Sequence, residues 1–110
     1  LIYDPELILM DEPFGPLDAQ TRIVLQDQLL KLWSASKKSI IFITHDLIEA
    51  ITLADRVVLM SSRPGKIKSI ENVAIPRPRD VFRIHESEQF RAVYGRLWQQ
   101  LRPEVKLSEA

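Results

Sequence analysis

Two short apolar runs, Leu7-Ile8-Leu9-Met10 and Ile40-Ile41-Phe42-Ile43, each break directly into polar residues: Asp11-Glu12-Pro13 after the first, Thr44-His45-Asp46 after the second. Four apolar residues without polar alternation suit a parallel strand covered on both faces, and in open α/β sheets ligands bind at the carboxyl ends of such strands. Between the runs, Asp18 is placed to cap a helix reaching about Ser36, with Ile23, Leu25, Leu29, Leu32 and Trp33 near helical spacing as its core face. After the second run, Asp46 is placed to cap a short helix through Leu47, Ala50, Ile51 and Ala54. This strand-helix alternation predicts an α/β fold. At the start of the chain, Leu1-Ile2-Tyr3 reads as the end of a helix and Asp4-Pro5 as a turn.

Farther on the pattern changes. Arg56 to Ser61 reads as a third strand, paired antiparallel with Lys66 to Ala74 through the turn Arg63-Pro64-Gly65. Alternation between Ile67 and Ile75 is imperfect, which predicts a bulge. Two prolines in Pro76-Arg77-Pro78-Arg79 remove ladder donors and predict an extended linker. Residues 63–83 hold six basic side chains against two acids, read as a solvated face, with a membrane- or partner-facing patch as the alternative. From Ser87, Phe90, Val93, Tyr94, Leu97, Trp98 and Leu101 recur at spacings of three and four, an amphipathic helix that Pro103 is expected to end.

Composition narrows the class. At 110 residues and 45% hydrophobic content, the chain is long enough for one modest core. Fifteen basic and fifteen acidic residues cancel, so charge gives no argument for nucleic acid as a partner. The absence of cysteine excludes disulfides and thiolate metal sites, and fits a reducing compartment. The apolar runs are far shorter than the roughly 20 residues a membrane-spanning helix needs. With an apolar strand so close to Leu1 and methionine only at positions 10 and 60, the chain is expected to be a piece whose N-terminal portion is missing.

The candidate chemistry lies at the two strand ends. Two adjacent acids can divide a phosphoryl-transfer task, one holding Mg²⁺ and the other deprotonating the attacking water. Asp-Glu-Pro after a strand also suits a solvated turn or a helix cap. A histidine at the end of the neighbouring strand brings His45 within reach of the Glu12 site; in isolation it reads as a packed or surface residue before a catalytic one, and His85 reads only as that.

Together these stretches resemble the ATP-binding subunits of ABC transporters. Leu7 to Glu12 resembles the Walker B strand, Gly15-Pro16-Leu17-Asp18 the D-loop, and His45 the switch histidine. The resemblance implies that Asp11 binds Mg²⁺, that Glu12 is the catalytic base on the hydrolytic water, that His45 senses the γ-phosphate, and that Asp18 lies at a dimer interface. Proline at position 16, where family members usually carry a small residue, removes an N–H from that loop. The implied fold is α/β, the C-terminal part of a RecA-like P-loop NTPase domain. Residues 1–75 would be the C-terminal portion of the ATPase domain, and 76–110 a linker and amphipathic helix packing on it.

Other parts of the family pattern are absent from this sequence. Its glycines are Gly15, Gly65 and Gly95, so there is no G-x-x-x-x-G-K-[ST] phosphate loop, and there is no Gly-rich signature segment. The chain alone is therefore expected to have negligible ATP affinity and turnover, and its cut edges to make it poorly soluble. Ser62 to Ile67, Ile75 to Arg79 and the Phe90 to Leu101 helix resemble the nitrate, sulfonate and taurine group of import ATPases. That implies ATP and Mg²⁺ as cofactors and a peripheral position on the cytoplasmic face of the cell membrane. The implied partners are transmembrane permease subunits, a second ATPase subunit in a head-to-tail dimer, and a solute-binding protein. Two alternatives are a degenerate, partner-binding fragment without catalysis, and an unrelated Mg²⁺-dependent hydrolase using Asp11, Glu12, His45 and Asp46.

Overall fold

A computed structural model describes residues 6–61 and 65–109, with side chains as far as Arg102. The readings of Leu1 to Pro5 and of Arg63 and Pro64 lie outside the described residues. Strand β1 (Leu7–Asp11) pairs in parallel with β2 (Ser39–Ile43), in the register Leu7 to Ser39 through Asp11 to Ile43. Helix α1 (Ala19–Ser36) connects them. Asp18 caps α1 by accepting from the Thr21 N–H, and Lys37, in the left-handed region at φ 57°, closes it with its own N–H on the Trp33 carbonyl. Helix α2 (Leu47–Leu53) leads from β2 into β3 (Arg56–Met60), and β3 pairs antiparallel with β4 (Ile67–Asn72). The predicted bulge is present: Leu59 faces Ser69 while Met60 faces Ile67, which leaves Lys68 as the extra residue.

One 3₁₀ turn (Ile84–Glu86) precedes helix α3 (Glu88–Glu109). Its first turn is fastened by Ser87, whose hydroxyl accepts from the Phe90 N–H. Ile51, Val57, Val73, Ile75, Ile84, Phe90, Val93 and Leu97 form the core, where α2, the β3–β4 hairpin and α3 meet. The molecule is therefore a small α/β structure with one parallel pair, one antiparallel pair and a C-terminal helix. No helix among the described residues is long and apolar enough to cross a membrane.

Four expectations are corrected. The parallel strands are not covered on both faces: Leu7, Leu9, Ile41 and Ile43 are 57%, 65%, 53% and 44% exposed, because alternate residues of a strand point to opposite sides and only the other side is packed. On α1, Leu32 is exposed and the buried positions are Gln26 and Leu30, because Gln26 turns inward to donate to Glu49 at 2.7 Å. Pro103 does not end α3, since proline forfeits its own N–H bond but leaves the flanking residues free to stay helical.

The fourth correction concerns Arg79, which is buried, and Arg77, which is half-buried, rather than both lying on a solvated face. Arg79 is buried and donates to the carbonyls of Ile51, Thr52, Ala54, Val73 and Ile75 at 2.7 to 3.3 Å. The last carbonyls of a helix have no intrahelical partner, and the proline-flanked stretch brings a guanidinium beneath the end of α2 to satisfy them. Burial, and next the neighbouring charge of Arg77, pulls Arg79 down to about 10, with Asp55 opposing. Arg77 pairs with Asp55 at 3.0 Å, donates to the Leu53 carbonyl, and lies over the Trp33 ring at 4.5 Å.

Candidate functional site

Parallel pairing brings the polar ends of β1 and β2 side by side. The ladder runs one residue past the strand, with the Glu12 N–H donating to the Ile43 carbonyl at 2.8 Å. There the first chain turns sharply, because Glu12 sits at φ 49°, the left-handed region that L-residues other than glycine enter at a cost. Its carbonyl accepts from the Gly15 N–H at 3.3 Å, and the Leu17 N–H donates to the Phe14 carbonyl at 3.2 Å, so the loop is a pair of consecutive turns. Phe14 anchors it from below, buried with its ring centroid 5.6 Å from that of Phe42 on β2.

The second chain turns through Thr44, whose hydroxyl accepts from the Asp46 N–H at 3.0 Å. Asp46 caps α2, as its spacing predicts, by accepting from the Ile48 and Glu49 N–H groups. Between Thr44 and Asp46, the His45 side chain projects almost fully exposed, with Nε2 3.4 Å from Glu12 Oε1. No hydrogen bond joins the pair, and Glu12 Oε1 is a buried oxygen without a donor. A carboxylate oxygen in that state is short of a proton donor or a cation.

Asp11 is exposed at the end of β1, on the same open side as Leu7 and Leu9. Asp18 is exposed at the start of α1, and hydrogen bonds from Thr21 hold its carboxyl below the ordinary 3.8. His85 is exposed on the 3₁₀ turn. The structure thus brings Glu12 and His45 together, leaves Asp11 beside them in sequence at the strand end, and places Asp18 at the far end of the same loop.

Two groups went unrecognised in the sequence. Arg22 donates to the carbonyls of Phe14, Gly15 and Leu17 and stands 3.6 Å from the Asp46 carboxylate. The signal that marks it is a cation next to the first turn of a helix, where the helix dipole disfavours it unless something else holds it. The buried Gln26–Glu49 bond ties α1 to α2 and left no such trace.

An open cleft of about 550 Å³ runs from Glu12, His45 and Asp46 past Ile48 to Tyr94 and Trp98 of α3. Among the described residues, no three His, Asp or Glu side chains gather into a metal-ligand cluster. Mg²⁺ in a nucleotide site needs no such cage, being held by one or two carboxylates together with substrate phosphates and water. Asp11, exposed at the end of β1, is a carboxylate of the kind that demand names.

No family model matches the chain. Individual proteins do. It is 55% identical over 80 residues to an uncharacterized ABC transporter ATP-binding protein of Methanocaldococcus jannaschii, a match covering 73% of this chain and 30% of that protein. It is 45% identical over 100 residues to an aliphatic sulfonates import ATP-binding protein of Bacillus cereus, covering 91% of this chain and 38% of the relative. It is 47% identical over 87 residues to a bicarbonate transport ATP-binding protein of Synechococcus elongatus, covering 78% and 31%. The chain spans about a third of the length of the curated relatives it matches. Over the stretch they share, the homologues of this chain are ATP-binding proteins of ABC transporters.

Proposed function

We propose that the chain is the water- and Mg²⁺-handling segment, C-terminal in the complete protein, of the ATP-hydrolysing subunit of an importer for a small anion such as nitrate, a sulfonate or taurine. The observation that carries this reading is the meeting of Glu12 and His45 across the ends of two parallel strands, 3.4 Å apart. The relatives named for sulfonate import and bicarbonate transport support the class of solute. Glu12 Oε1 takes the proton of the attacking water, and His45 Nε2 donates to the transferring phosphate while its position beside Oε1 keeps water and base in line. Asp11 would hold Mg²⁺, which when bound neutralises charge on the phosphates. Asp18 would face a second ATPase subunit, and permease subunits would couple the cycle to transport at the cytoplasmic face of the membrane.

The fold supports the same reading. β2, α2 and β3 form a strand-helix-strand unit, the connection that joins parallel strands within one sheet, yet β2 and β3 lie in separate two-stranded sheets. In the complete subunit, a strand between them would merge both into one RecA-like sheet carrying the phosphate loop.

The test is ATP turnover by the complete subunit that carries this segment. Glu12→Gln is expected to lower kcat by about 100-fold or more while leaving nucleotide binding intact, the loss typical of a removed general base. The 110-residue chain alone is expected to give no heat of binding with MgATP. Unchanged turnover in the Gln variant would rule out Glu12 as the base, and phosphatase activity of the isolated chain would favour a free-standing Mg²⁺-dependent hydrolase instead.

A further inference from the structure

Beyond the last ladder bond at Glu12 the two strand ends separate, and no backbone hydrogen bond joins the Pro13–Leu17 loop to the Thr44–Asp46 turn among the described residues. Glu12 and His45 therefore sit on two independently turning segments. Arg22 is the side chain that reaches both. Its Nε donates to the Phe14 carbonyl at 3.2 Å, and one terminal nitrogen donates to Gly15 and Leu17 at 3.3 and 3.0 Å. The other terminal nitrogen stands 3.6 Å from Asp46, the residue after His45.

We propose that Arg22 is a positioning residue that locks the loop after Glu12 to the turn carrying His45, so that the two groups move as one unit. This rests on the reading of Glu12 and His45 as the working pair. The planar guanidinium suits the task because its five donors diverge in a fixed fork, three bonds aimed at one segment and a charge at the other; an ammonium cannot span both. Arg22 has no need to touch nucleotide or water. Its effect would pass through the separation and alignment of Glu12 Oε1 and His45 Nε2.

The test uses this chain by nuclear magnetic resonance and needs no nucleotide, so a failure of the ATPase reading leaves its result intact. Asp46→Asn is the selective cut, since asparagine caps a helix as well as aspartate does but carries no charge for Arg22. If Arg22 couples the segments, Asp46→Asn speeds amide exchange at Gly15 and Leu17 by about two- to fivefold, the range a half-exposed ion pair supports. The Val73 amide, bonded to Asp55 in the hairpin region, stays unchanged. Arg22→Met speeds the loop amides further, and Arg22→Lys recovers only part of the protection.

The second readout is spectroscopic. Glu12→Gln shifts the His45 imidazole ¹⁵N resonances when Arg22 is present, and that response is lost in the Arg22→Met background. Unchanged Gly15 and Leu17 exchange in Asp46→Asn would overturn the proposal, leaving Arg22 a clamp on its own loop. An equal His45 response with and without Arg22 would overturn it too. Should Arg22→Met unfold the chain, seen as lost protection at Val73, Asp46→Asn still decides.

Discussion

Glu12 is in a backbone conformation that its side chain does not favour. Placing a non-glycine residue in the left-handed region costs about 1 to 2 kcal/mol, and Glu12 at φ 49° also buries an oxygen without a hydrogen-bond donor. Such strain is retained where surrounding structure over-determines it, here by the parallel ladder on one side and the Gly15 turn on the other. Glu12→Gly is therefore expected to stabilise the isolated chain by about 1 kcal/mol in urea unfolding, while removing the proposed base. Lys37, at φ 57°, is the internal comparison. There glycine relieves similar strain but forfeits the Lys37 ammonium 5.1 Å over the Trp33 ring, worth about 0.5 to 1 kcal/mol, so Lys37→Gly is expected to be close to neutral. Destabilisation by Glu12→Gly would mean that its side chain contributes more to the fold than its backbone costs.

Among the elements, α2 is the one whose attachment decides where His45 sits. At seven residues it is too short to stand on its own propensity, and it is held from three directions. Arg22 faces its cap, Gln26 bonds to Glu49 on its inner side, and Arg79 takes the carbonyls at its C-terminal end. Arg79→Met would leave up to five carbonyls without that donor in a buried setting. We expect it to cost about 3 kcal/mol or more in urea unfolding, with Arg79→Lys recovering a part, because an ammonium has no planar fork. A loss under about 1 kcal/mol would mean that water replaces the guanidinium freely. What was legible in the sequence follows the range of each interaction. Asp18 and Asp46 as caps, the strands at Leu7, Ile40 and Arg56, and the bulge near Lys68 depend on residues a few positions apart, and all are present. So is the approach of His45 to Glu12, since parallel pairing of two adjacent strands requires it. Arg22, Glu49, Arg77 and Arg79 act through hydrogen-bond and ion-pair partners 4 to 28 positions away, most of them more than 20, and no local pattern distinguishes a basic residue that binds carbonyls from one that faces water.

Among the described residues, two apolar surfaces of the molecule are left uncovered by its own elements. The open side of β1–β2 presents Leu7, Leu9, Ile41 and Ile43, and the outer side of the hairpin presents Val58, Met60 and Ile70. Both sheets are two-stranded, so each also offers unpaired strand edges. An isolated two-stranded sheet is marginal in water, and a flat apolar edge is a template for pairing with another chain. The radius of gyration, 14.8 Å against roughly 13 Å for a compact chain of this length, agrees with incomplete closure. The core at Ile51, Phe90 and Leu97 is well away from this problem, being completely enclosed by α2, the hairpin and α3. We therefore expect the 110-residue chain to fold around that core and to self-associate through β1–β2, with a sedimentation coefficient that rises with concentration. Leu9 and Ile41 are directly opposite on the exposed side, so Leu9→Lys combined with Ile41→Glu replaces an apolar pair by an ion pair across the strands. That double variant should sediment as a monomer and keep its unfolding midpoint within about 1 kcal/mol, because neither side chain contributes to the packed side. A wild-type chain that stays monomeric when concentrated would overturn the expectation of self-association, whereas a double variant that associates as strongly would place the sticky surface elsewhere, on the hairpin. The matching double variant there, Val58→Lys with Ile70→Glu, would then be the one to abolish association, since those two residues are also register partners.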